Sequence, residues 1–115
     1  MTPEQVALVE RLRTLLASER VVRETSMFGV RSFMVNEKMV VSALKGGGLL
    51  IRVDAGRHDE LLSRPGATQA EMGTGRTMGP GWIEVAADAI NDDEQLTTWV
   101  GIAMEHNRAL TGSNT

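Results

Sequence analysis

The chain contains no cysteine. Disulfides, thiolate zinc, iron–sulfur ligation and thiol catalysis are excluded together. Tyrosine is also absent, and aromatic residues make up only 3% of the chain. That argues against a surface on which nucleobases stack. No apolar run exceeds a few residues, so no segment has the length to span a bilayer. Glu4, Glu10 and Arg11 interrupt any apolar stretch near the start, so no export signal is read there. These absences together predict a soluble cytoplasmic protein with no cofactor. What is present fits a globular fold. Of 115 residues 42% are hydrophobic and 23% charged, enough to bury a core in one domain.

The net charge of −3 disfavours autonomous nucleic-acid binding, because a chain that neutralises many phosphates is usually basic. The charge is uneven: residues 1–57 sum to +3 and residues 58–115 to −6. The halves can complement each other within one fold or between subunits, or can lie on separate solvated faces.

Thr2-Pro3-Glu4-Gln5 opens a helix with the signature of a capping box. Leu8, Val9, Leu12, Leu15 and Leu16 then share one face, so the spacing predicts a helix to about residue 18. Strand-like segments follow. Val21–Thr25 is rich in β-branched residues, and Val30–Val35 and Met39–Leu44 flank the polar turn Asn36-Glu37-Lys38. After Lys45-Gly46-Gly47-Gly48, the residues Leu49, Ile51 and Val53 share one side of a strand and Arg52 takes the other. Asp54 is placed to cap a short helix holding Leu61 and Leu62, ended by Pro65-Gly66. Residues 64–81 are glycine-rich, and read as a long loop or a hairpin around Gly73-Thr74-Gly75. Trp82–Ala86 reads as a strand. Asn91 with Glu94 starts a last helix whose apolar face is Leu96, Trp99, Val100, Ala103 and Met104, with Leu110 as its last anchor. The expectation is one α+β domain over residues 1–110 and a disordered tail over 111–115. Its architecture is two-layer, an antiparallel sheet with flanking helices.

Candidate chemistry is sparse. His58 lies four residues after Asp54, but one His and one Asp are too few for a metal site, and a solvent-exposed His on a short helix is expected. His106 near the last helix end is expected to favour an imidazolium through the helix dipole. The segment 73–79 has Met78 where a dinucleotide fingerprint needs glycine, which leaves at most an anion nest beside Arg76. Neither a nucleophile elbow nor a Ser-His-Asp order stands out, so no catalytic residue and no metal ligand is assigned. Met27, Met34, Met39 and Met78 are expected to fill the core rather than line a groove.

One series of segments carries more. Met27-Phe28-Gly29-Val30, then Glu37-Lys38-Met39, Leu50-Ile51-Arg52-Val53-Asp54, Arg76-Thr77-Met78, Trp82-Ile83-Glu84-Val85, Leu96 and Trp99 follow in order and spacing. The series resembles the TfoX N-terminal domain family, named for a bacterial competence regulator, from the first helix to about Leu110. The sequence departs from the family pattern at Val30 and Glu37, where glycine is common. Full-length competence regulators carry a further C-terminal domain, and this sequence ends before one could start, so a stand-alone domain without the transcriptional role of that further domain is expected. It implies a two-layer fold similar to secretion-chaperone-like domains, which often dimerise and bind partners. The expected function is therefore a non-enzymatic regulatory or adaptor domain, homodimeric and acting through protein contacts. Arg76, Met78, Met27, Phe28, Gly29 and Trp82 are its candidate binding residues. The alternative is a small-ligand or anion binder using the loop 64–81.

Overall fold

The computed structural model describes residues 2–19, 22–27, 29–73 and 76–111. Phe28, Val21, the hairpin tip at Thr74-Gly75 and the tail 112–115 lie outside the described residues, as do the side chains of Met27 and Met72.

Helix α1 (Pro3–Leu15) starts as its sequence dictates, with the Thr2 hydroxyl accepting from the Gln5 N–H at 3.2 Å. The same hydroxyl donates to the Lys45 carbonyl. Gln5 does not close a capping box. Its side chain is fully buried, and its amide donates to the carbonyls of Gly29 (2.7 Å) and Ala43 (2.9 Å). A long-range pair of hydrogen bonds has displaced the local one.

Six strands form one antiparallel sheet: β1 (Val22–Met27), β2 (Val30–Val35), β3 (Lys38–Ala43), β4 (Leu49–Arg52), β5 (Ala67–Gln69) and β8 (Trp82–Val85). Their order across the sheet is β1-β2-β3-β4-β8-β5. β6 (Glu71–Gly73) and β7 (Arg76–Thr77) pair only with each other. The glycine-rich stretch thus holds three short strands, an edge strand followed by a hairpin, because short pairings satisfy backbone groups that few side chains could. The turn after β2 has two residues in left-handed conformation, Asn36 (φ 53°) and Glu37 (φ 68°), the geometry that matches strand twist.

Register explains the core. Phe33, Val41, Ile51 and Ile83 oppose one another across four strands, and all four are wholly buried. Ala43, Leu49 and Val85 form the next row. Helices α1, α2 (His58–Leu62) and α3 (Asp93–Thr111) contribute Leu8, Leu12, Leu61, Leu96, Trp99 and Ala103 to the same cluster. The alternate residues Ser32, Ser42, Leu50 and Glu84 make up the wetter face, with Ser32 and Ser42 hydroxyls 2.8 Å apart. Met34 and Met39 oppose each other on that face and are only partly buried, as is Met78, so they are not the core fillers expected. The core methionine of α3 is Met104.

α3 begins one residue later than its sequence suggests. Asp92, not Asn91, caps it by accepting from the Glu94 N–H at 2.7 Å. Leu110 is 44% exposed and anchors nothing. α1 is tied to the sheet edge by Arg13, which grips both Glu24 oxygens at 2.7 and 2.8 Å. Arg31 reaches the same carboxylate at 2.8 Å. Arg13 foremost, and then Arg31, hold the Glu24 carboxyl below its ordinary pKa against the opposing effect of burial.

Candidate functional site

At the end of β4 the chain reads Arg52-Val53-Asp54, and each residue does something different. Arg52 faces away from the core and lies over the Trp82 ring, 5.4 Å from its centroid. Val53 is buried, and its N–H donates to the Gly81 carbonyl at 2.8 Å. Asp54 caps the 3-10 turn Ala55–Arg57 by accepting from the Gly56 N–H at 2.8 Å.

His58 opens α2, and it is 6% exposed rather than solvent-facing. The 3-10 turn separates it from Asp54, so the two do not share one α-helical face and His58 turns inward. Its Nδ1 accepts from the Gly81 N–H at 2.8 Å, which places the ring proton on Nε2, where it donates to Gln69 Oε1 at 2.8 Å. The Gln69 amide in turn donates to the carbonyls of Ala70, Gly79 and Trp82. Gly81 sits at φ +93°, and a Cβ there would fall 2.8 Å from the Val53 carbonyl oxygen. These bonds fix the Pro80-Gly81 turn.

A cleft of about 210 Å³ opens between that turn, the Arg52–Trp82 stack and the C-terminal half of α3, which supplies His106 and Leu110. A second cleft of about 120 Å³ adjoins it through Val53 and His106, with Asp54, Arg57 and Glu105 on its rim. His106 is partly buried, and burial first, then the Arg52 charge, push its pKa below 6.5 against the pull of Asp54. The imidazolium expected from the helix dipole is therefore disfavoured. α3 runs on to Thr111, so His106 lies inside the helix and beside a cation. A larger cleft, about 260 Å³, lies between α1 and α3, but its charged lining residues Arg11 and Asp93 pair with each other at 3.0 Å.

Of the candidate residues, only Trp82 lines the Arg52–His106 cleft. Met78 is one connection away: its N–H donates to Ala70, whose N–H donates to the Trp82 carbonyl. Arg76 is exposed on the β6–β7 hairpin. Met27 closes β1 opposite Val30, and Phe28 is outside the described residues. Gly29 serves the backbone. Its φ is +78°, a Cβ would run into the Lys45 side chain, and its carbonyl accepts from Gln5. Gly29 and Lys45 lie at the end of the sheet opposite Trp82. Sequence reasoning passed over Arg52, His106 and Leu110. The available signal was a strand ending in Arg-Val-Asp and directly followed by a cap.

Among the described residues, no cluster of three or more His, Asp or Glu is placed to hold a metal, and no helix is long and apolar enough to cross a membrane. No curated protein matches the chain significantly. The model of the TfoX N-terminal domain matches residues 14–107, which takes in every strand, the Arg-Val-Asp corner and the cleft up to His106. The chain belongs to the TfoX N-terminal domain family.

Proposed function

We propose that this domain acts in the cytoplasm as a regulatory or adaptor module that works by protein contact, not by catalysis, and that the Arg52–Trp82 cleft is its contact site. The observation that carries the reading is the stacked Arg52–Trp82 pair beside exposed Leu110. Trp and Arg are the residue types that concentrate binding energy at protein interfaces, and a partly exposed pair held on two adjacent paired strands loses little entropy on binding. Both His58 nitrogens are already committed to structural bonds, which supports contact over chemistry. The test places a photo-crosslinking residue at Leu110 in living cells, with one at exposed Glu94 as control. Discrete protein adducts are expected at 110 and not at 94, and Trp82→Ala should abolish them. Equal adducts at both positions, or adducts indifferent to Trp82→Ala, would refute the reading.

A second reading rests on Arg52 itself, which has no carboxylate partner among the described residues. A guanidinium at a cleft mouth can hold a small anion. Titration of inorganic phosphate, followed by Trp82 fluorescence in a Trp99→Phe background, should saturate if the site takes anions. A signal that stays flat eliminates this reading.

A further inference from the structure

The sheet has two edges, and they are not alike. β5 has three residues and follows directly on α2 and its turn. β1 has six, pairs with β2 on one side, and among the described residues has no strand on the other. It holds no proline, no lysine and no bulge, and its one inward-facing charge is Glu24, opposite the core residue Phe33. Its two charges are each balanced within the chain, Arg23 by Glu37 at 3.0 Å and Glu24 by Arg13 and Arg31.

The turn after β2 decides which backbone groups of β1 point outward. Residues flanking a two-residue antiparallel turn exchange both ladder bonds. Val35 and Lys38 flank one such turn, so Val35 bonds toward β3 and Met34 toward β1. Met34 opposes Arg23, and the register runs without a shift to Met27 opposite Val30. Arg23, Thr25 and Met27 bond inward to β2, which leaves the N–H and C=O groups of Val22, Glu24 and Ser26 facing out.

A second copy added here by a two-fold axis normal to the sheet must pair antiparallel. Bonded and non-bonded pairs alternate, so the axis has to pass through a residue opposed to its own equivalent. Only axes at Glu24 or Thr25 oppose five residues of this six-residue strand. An axis at Glu24 sets two carboxylates against each other. An axis at Thr25 sets Thr25 on Thr25, Glu24 on Ser26 and Arg23 on Met27, with no like charges opposed and with the outward groups of Glu24 and Ser26 bonded to each other.

We propose that β1 is a homodimerisation edge centred on Thr25, joining two six-stranded sheets into one continuous sheet. This gives the homodimer expected from the sequence a surface and a register. It does not depend on the cleft, which lies at the end of β4 and β8, so the crosslinking at Leu110 and the test below fail separately.

The cysteine-free chain makes the test direct. In the Thr25 register the two Thr25 Cα atoms form a non-bonded pair about 4.5 Å apart, within disulfide range. Thr25→Cys should form a disulfide dimer on mild oxidation about tenfold faster than a Thr98→Cys control on α3, because the paired thiols share a high effective concentration. Glu24→Cys and Ser26→Cys alone should not crosslink at that rate, while a mixture of the two should. Sedimentation of the wild type at several hundred micromolar, a concentration suited to a weak edge contact, should show mass above the monomer. Self-crosslinking by Glu24→Cys in preference to Thr25→Cys, a Thr25→Cys rate no greater than the control, or a strictly monomeric wild type would each overturn the proposal.

Discussion

His58 fixes backbone more than it offers chemistry. One nitrogen holds the Gly81 N–H and the other holds Gln69, whose amide reaches three further carbonyls. Replacing it leaves the buried Gly81 N–H and the partly buried Gln69 side-chain carbonyl without partners. We predict that His58→Ala costs about 1–3 kcal/mol for each group stranded, read from the shift of a denaturation midpoint, and that it loosens the cleft turn. An unchanged midpoint would show that the turn holds itself. His106 contributes differently, through its protonation. Because its pKa is lowered in the folded state, the unfolded chain takes up a proton below about pH 6.5 that the folded chain refuses. Stability is therefore whole above that pH and declines as pH falls through the folded pKa. His106→Gln should flatten this leg of a melting-temperature profile between pH 8 and 5. A profile identical to wild type would mean that neither burial nor Arg52 shifts the titration of the ring.

At the scale of elements, the helices are held to the sheet by two kinds of contact. One is apolar. Trp99 is 4% exposed and Leu96 fully buried, three residues apart on the inner stripe of α3. Trp99→Ala should cost about 3–5 kcal/mol, the cost of a buried large-to-small change, and chemical denaturation would measure it. A loss below about 1 kcal/mol would place the ring in a replaceable position. The other kind is a buried amide. Gln5 bonds α1 to the carbonyls of Gly29 and Ala43, and Asn107 bonds α3 to the Val35 carbonyl at 3.0 Å. Each bridges a helix to backbone carbonyls at or beside the end of a strand. The two residues stand near opposite ends of the chain, and neither looks like a core residue in a periodicity count.

Across the whole molecule, the opposed charges of the two halves meet in only part of the surface. Arg11–Asp93 and Arg57–Glu60 pair a cation of the basic half with an acid of the other, and Arg108–Glu19 joins the halves in the reverse sense, while Arg13, Arg23 and Arg31 pair inside the basic half. The pairs joining the halves lie at the surface, with the Asp93 side chain 93% exposed. Exposed pairs are worth about 0–1 kcal/mol, so Asp93→Asn should shift stability by less than about 1 kcal/mol, and less still in high salt. A larger loss would assign the charge halves a role in holding the fold. The expected small value leaves the fold to the apolar cluster and the ladder.

The alternation of Leu49, Ile51 and Val53, the apolar stripes of both long helices and the order of helices and strands were legible in the chain, because each depends on a local period of two or 3.6 residues. So was membership of the family, which rests on segments in sequence order. The chain also carried both polar turns and the cap at Thr2. Local pattern could not place Gln5, His58 and Asn107 inside, since each is buried only by partners distant in sequence, and a polar residue reads as exposed until those partners arrive. It could not join Arg52, Trp82 and His106 either. That cleft exists because β8 returns beside β4 and α3 crosses their common end, so three residues from separate segments meet where only the tertiary fold brings them together.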